Sequence, residues 1–535
     1  MPPSRVDRTA ALVLFVAVCV AYFNAFAGSY QFDDYNVLLR DPGAASFAGW
    51  LAAQPGIRPL LKLTYALNNL LPEAWGLRLY AFHVANILIH AAAALLVYAV
   101  LRRLTHDDDI VFRDQRLAAF LAALVFALHP AQTEAVTYLS GRSTSLAAVF
   151  ALLSMLLWLR GREYEDRRDL YVRSPFAFVL ALLCKEYVAV LPLALLLLAR
   201  LESGRLRWLR PALRDSAVHW IVVLAAIGAA AAVPRYRELA QASLEARDLG
   251  TQLLTQVHAI VYLAGQLVRF DRLNADPALP VVATLDGTTI AYAATIVATL
   301  VAGVLALRRY PVLAFSILWF YVWIAPTNSL IPRLDVVNDR QLYLALIGPA
   351  FGAARLLVRL LPRGVQWALV PVLALGLAFG TWQRNAVYED EIVFWGDVAE
   401  KSPHNARAFG NLGHALALAC RTADAERALQ VAFELDRTAT QPVINLTLLR
   451  AGTLPGLPAQ CATAQAASQS AVAAPDVPAA ATPAPPETNP ATETNPATET
   501  SPATETSPAP VTSPAPGTNE AAATPATQPA PPARQ

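Results

Sequence analysis

The run ALVLFVAVCVAYFNAFAG at residues 11–28, preceded by Arg5 and Arg8 and followed by Tyr30-Gln31-Phe32-Asp33-Asp34-Tyr35-Asn36, decides what kind of chain this is. At about 1.5 Å per residue, a helix over this run covers roughly the 30 Å of hydrocarbon in a bilayer. It reads as a first membrane span. Ala25-Phe26-Ala27 faintly resembles a cleavage site, but the apolar segments downstream favour an uncleaved anchor. The span delivers two adjacent carboxylates, Asp33 and Asp34, just beyond its end. Such a pair is either a solvated loop or a set of groups placed for chemistry, and the rest of the chain has to decide between them.

Composition agrees with a membrane origin. Of 535 residues, 56% are hydrophobic and 15% charged, and the mean hydropathy is +0.40, more apolar surface than one soluble core can hide. Further apolar segments fall near 80–101, 117–138, 146–159, 175–183, 188–201, 217–233, 288–307, 312–325, 342–361 and 365–382. With the first, they make an all-α polytopic protein of about eleven spans. The short ones flanking Cys184-Lys185-Glu186 survive at membrane depth when neighbours bury them or when they line a cavity.

Charge tests the threading. Arg102 with Arg103, the 160–173 and 200–214 stretches, Arg308 with Arg309, and Arg359 with Arg363 all fall on one side, cytoplasmic by the positive-inside rule. Asp33-Asp34, residues 129–142, Lys185-Glu186, residues 234–286, residues 328–340 and the C-terminus fall on the other. The stretch 253–270 carries Gln256, His258 and Gln266 and reads as a helix lying at the interface. Lysine occurs only at Lys62, Lys185 and Lys401, and Ala, Leu and Pro abound, a composition of GC-rich bacterial genomes; the expected location is a bacterial inner membrane. No basic patch suggests nucleic acid.

Beyond Trp382 the chain turns polar and helical. Phe409, Leu412, Gly413, Leu416, Ala425, Leu429 and Ala432 take the spacing of a tetratricopeptide repeat, with helices at 405–419 and 422–436 and a truncated second repeat over 438–450. One and a half repeats need a neighbour to cover their apolar face. From about Ala462, Pro, Ala, Thr and Ser dominate; such a tail is expected to be disordered or extended, a tether or an acceptor of O-linked sugar. Domains are thus expected at 1–383, 384–455 and 456–535. Of four cysteines, Cys19 and Cys184 lie in apolar segments, while Cys420 and Cys461 either pair or remain free thiols.

Polar residues cluster at the presumed outer span ends, where ionisable groups are costly unless used. Arg58-Pro59 follows the acidic pair. His83, Asn86 and His90 share one helix face, as ligands or as a polar packing seam. His129 with Glu134, Gly141-Arg142, Lys185-Glu186, and Asp339, Arg340 and Tyr343 complete the set. The histidines lack the spacing of a zinc motif, so neither a metal nor a cofactor is assigned.

Phe32-Asp33-Asp34, Arg58-Pro59-Leu60, Phe82-His83-Val84-Ala85-Asn86, His129-Pro130, Gly141-Arg142, Lys185-Glu186, Asp339-Arg340 and the terminal repeat follow one another in an order that resembles the transmembrane and tetratricopeptide-repeat proteins. Those are similar to protein O-mannosyltransferases and have the C-type membrane glycosyltransferase fold. Ser143-Thr144, Tyr187 and Ala345 depart from that pattern; the first bears on donor or acceptor preference.

The resemblance implies an enzyme that moves a mannose-like hexose from a polyprenyl phosphate to Ser or Thr hydroxyls of secreted or periplasmic polypeptides at the outer face. Asp33 or Asp34 suits the general base, the family favouring the first, because a hydroxyl needs a carboxylate to take its proton. Arg340, then Arg142 and Lys185, suit the leaving phosphate. Arg58, His83, Asn86, His129, Glu134, Glu186, Asp339 and Tyr343 are the remaining expected substrate contacts. A non-enzymatic scaffold for periplasmic assembly and a transferase acting on lipid or glycan are the competing readings.

Overall fold

In the computed structural model the described residues are 5–104, 112–202, 207–333, 335–459 and 461, and every regular element among them is helical. The Arg5–Ala21 helix shows why. Leu14, Val18 and Ala21 make a buried stripe, while Leu12, Val13, Val16 and Val20 face outward. An outward face that is itself apolar belongs in hydrocarbon, not water. The Gly287–Arg309 and Arg363–Ala386 helices repeat the pattern with Val297, Val301 and Leu305, and with Val372, Leu375 and Phe379.

Among the described residues five helices are long and apolar enough to cross a membrane by length and composition, or up to eight when each of three bent pairs counts as one span, with Pro311–Ile324 a shorter apolar helix. The eleven expected segments exceed that number because several are short: the segments at 175–183 and 188–201 form the Ser174–Leu182 and Leu191–Glu202 helices. Two bent pairs organise the interior. Gln115–Leu128 turns by 53° into Pro130–Val136, and Asp339–Ala345 turns by 55° into Ile347–Leu360. The short arm of each pair carries a charged residue, Glu134 in Pro130–Val136 and Arg340 in Asp339–Ala345.

The arginine-rich ends gather at one end of the bundle, as the charge pattern expects. Arg103 pairs with Glu163. Arg162 reaches Glu202 at 2.8 Å and Asp215 at 2.5 Å, and Arg200 donates to the Arg308 carbonyl at 3.2 Å. At the opposite end, Asn24 donates to the Trp382 carbonyl (2.8 Å) and Asn385 to the Ala21 carbonyl (3.0 Å), which fastens the first span to the last.

The C-terminal helices are Glu391–Lys401, Ala406–Leu418, Thr422–Leu435 and Thr440–Arg450, and the first two begin where their caps place them: Asp390 accepts from the Ile392 and Val393 amides, and Asn405 from that of Ala408. Gly413 allows the close approach, since a Cβ there would lie 2.7 Å from Leu429 Cγ. These helices lean on the membrane part. Tyr138 and Tyr388 share one apolar cluster with Phe394, Trp395, Val398 and Ala408, and Phe32 packs against it. A disulfide joins Cys420 to Cys461, which resolves the alternative left by the sequence. The Pro- and Thr-rich tail from Ala462 lies outside the described residues. The 253–270 stretch forms the Leu249–Gln266 helix, which is not among the apolar spanning candidates.

Candidate active site

The Asp33-Asp34 loop is held at three points. The Ser29 amide donates to the Tyr388 carbonyl at 3.2 Å. Phe32 takes a left-handed backbone (φ 44°), uncommon for a residue with a Cβ, and its ring meets Trp395 edge-on at 5.4 Å beneath the Arg407 guanidinium. The Asp34 carboxylate, fully buried, accepts from the Gln31 amide (3.0 Å) and the Ser140 amide (2.8 Å). Burial pushes its pKa up to about 7 against the pull of those amides. Gly141 makes the contact with Ser140 possible: a Cβ there would lie 2.2 Å from the Glu134 carbonyl oxygen.

The two aspartates therefore differ in kind. Asp34 is an anchor, whereas Asp33 is half-buried and its carboxylate enters no hydrogen bond or ion pair among the described residues. Its amide donates to the Tyr138 hydroxyl at 3.0 Å. The Arg340 guanidinium stands over the same Tyr138 ring at 5.8 Å, so one tyrosine carries the Asp33 loop on its hydroxyl and the cation on its face.

Arg340 opens into a basic cavity of about 260 Å³ that Arg58, Lys185 and Arg333 also line. Glu134 aims it, accepting from the Arg340 amide at 2.8 Å while the guanidinium Nε lies 3.5 Å from its other oxygen. Lys185 donates to the Thr144 hydroxyl at 2.7 Å. Burial, with Arg340, Arg58 and Arg333 nearby, lowers its pKa well below that of an ordinary lysine. Burial likewise takes Arg333 down to about 10. Arg58 forms a fork on Glu186 at 2.8 to 3.1 Å, and the Tyr236 hydroxyl donates to the same carboxylate at 2.8 Å. Arg58 thereby holds Glu186 below the usual carboxylate range although burial opposes it. Four basic side chains converge on one space, with Glu134, Glu186, Asp335 and Asp33 among the nearby carboxylates. Such a space suits a phosphate.

The other expected contacts lie elsewhere. Arg142, 1% exposed, is used up on Asn86 and Asn68 (2.6 Å each) and on the Phe82 carbonyl, between the Tyr65 and Phe82 rings. Asn86 also donates to the Val136 carbonyl, and His83 meets the Gly28 carbonyl at 3.2 Å. His90 meets the Tyr343 hydroxyl at 2.8 Å. His129 caps the turn that follows it, accepting from the Ala131 amide, with its other nitrogen on the Leu267 carbonyl. Asp339 accepts from the Asn274 amide and the Tyr262 hydroxyl. None of these six expected contacts, nor His90, lines the basic cavity; they build the frame around it. Sequence reading missed Arg333, Tyr138, Tyr236 and Asn338, although Arg333 and Asn338 sit in the stretch before Arg340 that was already placed on the same face.

A second opening of about 650 Å³ runs from Phe32, Tyr35 and Asn36 past Trp395 to Arg407 and Asn411 of the Ala406–Leu418 helix. Among the described residues, the fold and this site define a helical membrane protein with a carboxylate that enters no hydrogen bond or ion pair beside a cavity lined by basic side chains. The chain is similar to proteins named protein O-mannosyl-transferase. It is 28% identical over 200 residues to F38B6.6 of Caenorhabditis elegans (34% of this chain, 27% of that protein) and 30% over 203 residues to TMTC4 of Homo sapiens (33% and 27%). With TMTC3 of Mus musculus it is 25% identical over 462 residues (76% and 48%). The resemblance read from the sequence is borne out. The chain spans about half, or less, of the length of these curated relatives. No family model and no solved structure matches it.

Proposed function

We propose that the chain is a membrane glycosyltransferase that moves a mannose-like hexose from a polyprenyl phosphate to a Ser or Thr hydroxyl of a polypeptide. The observation that carries this reading is Tyr138, which holds the backbone of Asp33 on its hydroxyl and Arg340 over its ring, with Arg340 lining a space that three other basic side chains share. Asp33 takes the proton of the acceptor hydroxyl as its oxygen attacks the anomeric carbon. The bond from that carbon to the phosphate oxygen breaks, and the leaving polyprenyl phosphate keeps the electron pair beside Arg340, Lys185 and Arg333. One displacement inverts the anomeric centre and requires no second carboxylate. The opening toward Ala406–Leu418, which we read as a tetratricopeptide-type hairpin, is the acceptor route; names of the relatives support a protein acceptor. Purified protein in liposomes, given polyprenyl-phosphate mannose and a Ser/Thr peptide, is expected to yield a peptide heavier by one hexose. A peptide unchanged under saturating donor overturns the reading.

We place the site on the extracytoplasmic face of a bacterial inner membrane, with all eleven apolar segments at membrane depth and the Leu249–Gln266 helix at the interface. His404→Cys, on the exposed turn before Asn405, is then expected to react with a membrane-impermeant maleimide added outside intact spheroplasts. Labelling only after lysis would invert the threading.

A further inference from the structure

Two buried side chains of the cavity have no task in the transfer as described. Asn338 is 3% exposed and Gln341 8%, and neither the amide oxygen nor the amide nitrogen of either has a hydrogen-bonding partner among the described residues. Buried amides left so are rare, because both ends lose water without compensation. Their place is specific. Asn338 lines the basic cavity and also the smaller pocket that Phe32, Glu134 and Tyr138 share with Arg340; Gln341 lines the basic cavity. Asn338 is extended (φ −150°, ψ 152°) and its carbonyl accepts from the Gln341 amide at 3.2 Å, so both side chains spring from one short turn with Arg340 between them.

The chemistry of the unpaired atoms narrows the ligand. A phosphate offers acceptors alone; it can use the two amide nitrogens and leaves both amide oxygens unpaired. Hydroxyl groups donate and accept, and a side-chain amide, with a donor and an acceptor side by side, matches two neighbouring hydroxyls. The group that must lie between the phosphate and the acceptor oxygen is the sugar itself. Asn338 stands at that junction, where the cationic cavity meets the pocket beneath the Asp33 loop.

We propose that Asn338 and Gln341 bind hydroxyls of the transferred hexose and set which hexose is accepted, an inference that rests on reading the basic cavity as the phosphate site. Binding of polyprenyl-phosphate mannose, polyprenyl-phosphate glucose and bare polyprenyl phosphate to the purified full chain tests it. The wild type is expected to prefer a sugar-bearing lipid to the bare one. In Asn338→Ala and in Gln341→Ala that preference should fall by about tenfold, the worth of one net hydrogen bond near the upper end of the usual range, with binding of bare polyprenyl phosphate unchanged. Asn338→Asp, which keeps the shape and one acceptor while losing the donor, should alter the mannose-to-glucose ratio. An unchanged preference in all three variants overturns the proposal, as does a parallel loss for sugar-bearing and bare lipid, which marks a purely structural role. Should the wild type bind none of the three lipids, the phosphate site itself fails and the inference falls with it.

Discussion

Asp33→Asn is expected to lower transfer to a peptide acceptor by roughly 10²- to 10⁴-fold, the usual contribution of a positioned general base. The protein should still reach the membrane at wild-type abundance, because the Asp33 carboxylate enters no hydrogen bond or ion pair among the described residues, and its backbone bond to Tyr138 survives the change. Asp34→Ala is expected to behave in the opposite way. It strips the Gln31 and Ser140 amides of their acceptor inside the protein, at a cost of about 1–3 kcal/mol for each buried group, so the denaturation midpoint in detergent should drop. Initial rates measured beside thermal midpoints separate the two. Normal transfer by the Asp33 variant would remove Asp33 from the mechanism; a stability loss in it equal to that of the Asp34 variant would make both residues structural.

Arg340→Ala is expected to cost about 10²- to 10³-fold in kcat, by analogy with the loss of one charge-stabilising donor from a water-poor site. It also leaves Glu134 facing the cavity without its cation. Arg340→Lys keeps a charge but loses the planar fork, and should fall between the alanine variant and the wild type. The contrast with Arg142 is the informative one. Arg142→Lys should chiefly lower stability, since that guanidinium serves Asn86, Asn68 and the Phe82 carbonyl rather than the cavity. Full activity of Arg340→Ala at limiting donor would exclude a phosphate role for it.

Much of this was legible in the residues and some was not, for physical reasons. Hydropathy located the helices because a lipid-facing helix must be apolar all round. It could not count spans, because short helices such as Leu191–Glu202 are buried by their neighbours and need not satisfy a length rule. The charged motifs announced a site, yet sequence order cannot tell a buried arginine that caps carbonyls from one that faces a cavity. Arg142 and Arg340 look alike in the chain and differ in what surrounds them. The same limit hid Tyr138 and Arg333, ordinary residues in sequence whose meaning comes from what the fold sets beside them, the Asp33 amide and Arg340 for one and the basic cavity for the other. The disulfide was legible as a pair but not as a bond.

The left-handed backbone at Phe32, with its ring clamped between Trp395 and Arg407, has a further consequence. The residue before Asp33 is thereby seated in a socket that belongs to the C-terminal helices. A polypeptide cut after the last span would keep every cation of the cavity and lose the socket, and with it the angle at which Asp33 is offered. The C-terminal helices and the Asp33 loop are thus one packed unit.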